Sequence, residues 1–207
     1  MDLGSPLALS TFPAPGFIDG KGKVLVYGGS SPLGALAVKY IVDLGYEVIT
    51  TSSPASFRWV SSHGARVIID HTKPPGEVLR ELKANGPFKA GVFDAIGTPP
   101  VGALLSSLLG EGGKYFTVLP LLPNSPPFPT NVERVFASYS HAFTDERNEE
   151  LRKWLLGTYI PQGLKKGWII PTRVDKVAGG LGAVQGVLNK MARGQTGGRK
   201  FIIDPSE

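Results

Sequence analysis

The segment Lys23–Pro54, KVLVYGGSSPLGALAVKYIVDLGYEVITTSSP, leaves the chain little freedom of architecture. Lys23–Tyr27 is a valine-rich apolar run bounded by glycine, the composition of a strand buried on both faces. The turn Gly28-Gly29-Ser30-Ser31-Pro32-Leu33-Gly34 follows without a linker. From Ala35 to Leu44 the apolar residues Leu36, Ala37, Tyr40, Ile41 and Leu44 recur at helical spacing, and Gly45 supplies the left-handed residue that helix ends favour. A second β-branched strand runs over Tyr46–Thr51. Strand, glycine turn, helix and strand in this order form the first half of a dinucleotide-binding fold.

The turn has physical requirements that its residues meet. Gly29 lets the chain leave the strand sharply. A small residue at Ser31 lets backbone N–H groups approach a pyrophosphate, and Gly34 lets the helix pack closely on the strand. Ser31 stands where the middle glycine of G-x-G-x-x-G would be. The turn is therefore expected to bind a cofactor phosphate through Gly29, Ser30, Ser31, Leu33 and Gly34; a tight turn without a ligand is the alternative.

Further along, short apolar strands are expected at Arg66–Ile69, Ala90–Asp94, Lys114–Leu119 and Val132–Tyr139. Helices are expected at about Ala55–His63, Pro75–Asn85 and Val101–Leu109, with a long one from Thr144 or Asp145 to Lys165 and a last one over Val177–Ala192. Phe201–Ile203 reads as a final strand. The alternation predicts an α/β fold, a doubly wound and mostly parallel Rossmann sheet with helices on both faces. Met1–Lys21, rich in Pro, Gly and Ser, reads as an extended arm, leaving 22–207 as the dinucleotide-binding domain. Leu119–Thr130 carries five prolines and reads as a stiff loop.

Ligands of open α/β sheets bind outside the carboxyl ends of the strands, where strand order reverses. The second strand ends in Thr51, Ser52 and Ser53 with Arg58 close behind, not in the acidic residue that binds the ribose 2′-OH of NAD. Hydroxyls and a cation suit a 2′-phosphate, so NADP(H) is the expected cofactor. Asp94, Ile96, Gly97 and Val118 lie at the ends of the next strands; Asp94 is read equally as lining the cofactor site or as capping the following helix. Leu119, Leu121, Leu122 and Phe128 are expected to wall a small-molecule substrate.

The net charge of +5 comes from scattered basic residues, which argues against nucleic acid. Without cysteine, and with His63, His71 and His141 far apart, no metal site is expected. With 42% hydrophobic and 19% charged residues, no basic leader and no membrane-length apolar run, the chain reads as a cytoplasmic globular protein.

VYGGSSPLGALAVKYIVDLGYEVITTSSPASFRWVSSHGAR resembles the nucleotide domain of medium-chain dehydrogenases/reductases, particularly the zinc-free quinone reductases and fungal trans-acting enoyl reductases. Phe93-Asp94-Ala95-Ile96-Gly97, Lys114–Pro120 and the GQTGGRKFII segment at Gly194–Ile203 carry the same resemblance. It implies an NADPH-dependent reductase of an activated C=C bond, of enoyl or quinone type, with the Asp94–Gly97 loop along the nicotinamide ribose. Members of this family often carry an arginine between the Pro and Phe of the loop after the second strand; Ala55-Ser56 stands here. The resemblance also implies an N-terminal GroES-like catalytic domain, in place of which only Met1–Lys21 is expected. The cleft would then be covered by the arm, the proline-rich loop, a second copy in a homodimer, or a partner protein. Two further readings stay open: a redox-neutral cyclase or isomerase of a polyketide-like intermediate in the old cleft, and a non-catalytic nucleotide-binding module.

Overall fold

The computed structural model describes residues 22–110, 112–120, 127–136 and 144–207. The expected arm Met1–Lys21 and Leu121 and Leu122 of the proline-rich loop lie outside them. The apolar runs become strands β1 (Lys23–Tyr27), β2 (Glu47–Ser52), β3 (Val67–Asp70), β4 (Gly91–Asp94), β5 (Gly113–Thr117) and β6 (Val132–Val135). All pair in parallel, in the order β3-β2-β1-β4-β5-β6. Parallel pairing requires a crossover each time, and helices α1 (Pro32–Asp43), α2 (Phe57–Ser61), α3 (Pro75–Asn85) and α4 (Pro99–Leu108) supply the first four.

Strand alternation divides the apolar residues between two layers. Leu25, Ile49, Val92 and Tyr115 face Val78 and Leu82 of α3 and Leu105 of α4. Val24, Val26, Val48 and Phe116 face Val38 and Ile41 of α1. Because β1 lies between β2 and β4, strand order reverses beside it, and its carboxyl end opens directly into the glycine turn.

The expected long helix forms, in segments. Asp145 accepts the Arg147 N–H and starts it, then α5 (Glu149–Trp154) passes through a turn of π-helix at Leu155–Tyr159 into α6 (Ile160–Lys166). Pro161 has no N–H to give to the carbonyl four residues back, so the wider turn before it accommodates the break. Tyr159 is buried there; its hydroxyl donates to Asp43 Oδ2 of α1 at 2.6 Å, and Asp43 also pairs with Lys39. Lys39 lies 5.1 Å from the ring centre of Trp168. We expect Tyr159→Phe to cost about 1.5–3 kcal/mol in urea unfolding, the contribution of one hydrogen bond to a charged group.

The chain divides into two compact units, Met1–Ile170 and Pro171–Glu207. The expected final strand, β8 (Lys200–Ile203), does not join the six-stranded sheet; it pairs in parallel with β7 (Val174–Val177). β7 went unanticipated because VDKV is short and half polar. The last helix, α7 (Val184–Ala192), begins later than expected, after left-handed Gly179 and Gly180 and a tight turn at Gly180–Ala183. Of the expected apolar side, Leu181 in that turn and Leu188 and Met191 in α7 are exposed.

Candidate functional site

The glycine turn is held by β2. Gly28, at φ +89°, donates its N–H to Thr51 Oγ1 at 2.9 Å, and Gly29 donates to the Thr51 carbonyl at 2.9 Å. A Cβ on Gly29 would sit 2.2 Å from Thr50 Oγ1, and one on Gly34 would sit 2.1 Å from the Gly28 carbonyl oxygen. Both glycines are thus required by close approach, Gly34 for the helix-on-strand packing expected of it. The hydroxyl of Thr50, bonded to the Val26 carbonyl at 2.6 Å, is what crowds Gly29.

Ser31 is tied into the start of the helix. Its side chain is the N-cap of α1 and accepts the Gly34 N–H at 3.0 Å, while its own N–H donates to the Gly28 carbonyl. Pro32 has no N–H, and Ala35 donates to the Ser31 carbonyl. Among the described residues this leaves the N–H groups of Ser30 and Leu33 without acceptors at the start of a twelve-residue helix. Two open donors and the positive end of the helix dipole make an anion site.

At the end of β2 the hydroxyls are mostly spent on the fold. Thr51 is fully buried with its oxygen committed to Gly28, and Ser52, also fully buried, donates to the Ser53 carbonyl at 3.0 Å. The β1–β2 register places Thr50 beside Val26 and makes Thr51 and Ser52, expected at a 2′-phosphate, part of the joint between strand and glycine turn. Ser53 is half-buried and Arg58, in α2, is exposed, so these two remain available.

Asp94 is fully buried at the end of β4, beside Tyr27. Its Oδ1 accepts the N–H groups of Ile96 and Gly97 at 2.9 Å each, and its Oδ2 accepts the Tyr115 hydroxyl at 2.7 Å. Asp94 closes the turn Ala95–Gly97 and does not cap the following helix, whose N-cap position is Thr98. Burial pushes the Asp94 carboxyl above its ordinary range, against the hydrogen bonds from Gly97, Ile96 and Tyr115 and the charge of Arg134. Tyr115 and Arg134 were not anticipated. They are aligned by the β5–β6 pairing, which no local pattern reveals.

The three loops meet. Ile96 fills the space over Gly28, where a Cβ would lie 2.6 Å from its Cδ1. Leu119 covers Gly97 in the same way, its Cγ 2.7 Å from where a Cβ would be. Val118 donates its N–H to the Asp94 carbonyl at 3.3 Å and packs beside Phe116. Leu119 therefore joins these loops. Phe128 does not. It stacks on Tyr115 with ring centres 4.5 Å apart, because Ser106 of α4 holds the Pro127 carbonyl at 2.9 Å and turns the loop back onto the sheet. Among the described residues no three His, Cys, Asp or Glu side chains could hold a metal ion, and no helix is long and apolar enough to cross a membrane.

No protein-family model matches the chain. It is similar to the dehydrogenase azaJ of Aspergillus niger, 33% identical over 189 residues, the match covering 87% of this chain and 52% of that protein. It is also similar to the trans-enoyl reductase ACTTS2 of Alternaria alternata, 28% identical over 210 residues, covering 97% of this chain and 58% of the relative. The chain spans about half the length of the curated relatives it matches. Its fold matches that of a mycobacterial protein complexed with NADPH at a TM-score of 0.63 and 19% identity, covering 86% of this chain and 55% of that one.

Proposed function

The chain belongs to the medium-chain dehydrogenase/reductase superfamily through its nucleotide-binding domain, and from that premise we propose that it binds NADP(H) for the reduction of an activated C=C bond in a small, polyketide-like substrate. The observation that carries the cofactor reading is the pair of open N–H groups, Ser30 and Leu33, at the start of α1 beside the strand-order reversal. The C=C reading is supported by the relatives named trans-enoyl reductases.

The residues present fit such a cofactor. Ser30 and Leu33 would hold the pyrophosphate. Ser53 and the exposed guanidinium of Arg58 would hold the 2′-phosphate. Gly97 and Leu119 would offer an apolar surface to the nicotinamide and exclude water from one side. When bound, the cofactor supplies the hydride. A second copy or a partner protein would cover the other side.

Fluorescence titration with NADPH and NADH tests this reading. Arg58→Ala is expected to weaken NADPH by roughly one to two decades, the worth of one charge-assisted bond, and to leave NADH unchanged. Equal affinities of the wild type for the two cofactors, or an NADPH affinity indifferent to Arg58→Ala, would defeat it.

A further inference from the structure

The polar cluster beneath the Ala95–Gly97 loop includes a cation on the edge strand. Arg134 of β6 lies with its Cζ 4.7 Å from the ring centre of Phe128 and 5.6 Å from that of Tyr115. Its Nε is buried and finds no hydrogen-bond partner among the described residues. Tyr115 in turn donates to Asp94, and Asp94 holds the N–H groups of Ile96 and Gly97. Ile96 abuts Gly28 of the phosphate turn. A continuous series of contacts thus joins a charge at the sheet edge to the cofactor cleft.

We propose that Arg134 is a positioning residue for that cleft: its guanidinium, lying over the rings of Tyr115 and Phe128, supports the Tyr115–Asp94 pair that holds the Ala95–Gly97 loop against the glycine turn. The cleft's role rests on the cofactor reading above; the charge relation does not. Three titratable groups act on the Asp94 carboxyl: Tyr115 from β5, which donates to it, and Tyr27 from β1 and Arg134 from β6 through their charge relations. Burial, and then the Asp94 charge, hold the protons on both tyrosines. Among the described groups that act on Asp94, Arg134 is therefore the cation that opposes its desolvation.

The sign of the pH dependence follows. The carboxyl of Asp94 lies higher in the folded than in the unfolded chain, so the folded state binds its proton more readily. Its contribution is most favourable below the unfolded carboxylate range and declines as pH rises through the folded value. Removing Arg134 lifts the folded value further and deepens that decline.

Thermal unfolding of the whole chain at pH 4 and pH 7.5 tests this. Arg134→Met is expected to lower Tm more at pH 7.5, by about 3–5 °C for each pK unit that Arg134 holds Asp94 down. Arg134→Lys should restore most of the difference, and an Asp94→Asn background should remove it. Equal losses at both pH values, or a pH-dependent loss that survives Asp94→Asn, would overturn the inference. The second readout is NADPH affinity at pH 7.5, expected to fall in Arg134→Met and recover in Arg134→Lys. A wild-type chain that binds no NADPH overturns the cofactor reading, and the positioning role with it. A missing pH signature overturns the Arg134 inference alone.

Discussion

Gly34→Val is expected to abolish NADPH binding while leaving the strand content of the chain in place. The space at this position is already filled: an added Cβ would meet the Gly28 carbonyl oxygen at 2.1 Å, the Gly28 carbonyl carbon at 2.9 Å and Ser31 Oγ at 2.8 Å. Two of those atoms are backbone, so the turn itself must open, and with it the pair of N–H groups proposed to hold the pyrophosphate. Losing two charge-assisted bonds removes roughly 3–6 kcal/mol, or two to four decades of affinity. Gly76→Ala serves as the control, because nothing lies within 4 Å of the added atom. It should leave binding unchanged and stabilise slightly, by about 0.4–1 kcal/mol. NADPH fluorescence with far-UV circular dichroism reads both. A Gly34→Val protein that binds like wild type would remove the turn from the site.

Asp94→Ala should be the most destabilising single polar change in the six-stranded sheet. It strands the N–H groups of Ile96 and Gly97 and the hydroxyl of Tyr115, all bonded to this one carboxylate. Buried polar groups left without partners cost about 1–3 kcal/mol each, and the desolvation that raises the Asp94 carboxyl returns part of that when the charge is removed. A net loss of about 3–5 kcal/mol is expected from urea unfolding at pH 7. Because the ionised carboxyl is the strained form, the loss should shrink above the folded pKa of Asp94 and be largest in acid. A cost under about 1 kcal/mol would mean that water replaces the carboxylate and that the loop does not depend on it.

The order strand, glycine turn, helix, strand was legible in the chain because each piece is dictated locally. The valine run Lys23–Tyr27 can only be a doubly buried strand, and Gly34 is needed wherever a helix lies this close to the strand before it. The roles of the hydroxyls were not legible. Whether Ser31 caps α1 or meets a ligand, and whether Thr51 faces solvent or Gly28, depends on the register between β1 and β2. Tyr115 and Arg134 sit nineteen residues apart on parallel strands, so only their pairing reveals the cluster with Asp94. The same non-local closure took Phe128 from the cleft to the face of Tyr115. In the C-terminal unit, VDKV carries no strand pattern of its own and becomes β7 only beside Lys200–Ile203.

Isothermal titration of the wild-type chain with NADPH tests the central claim most directly. One cofactor per chain is expected, with NADH weaker by roughly one to two decades for want of the 2′-phosphate. No heat at millimolar NADPH would contradict the claim that the edge formed by Gly28–Gly34, Ser53, Arg58 and Asp94–Gly97 is a dinucleotide site.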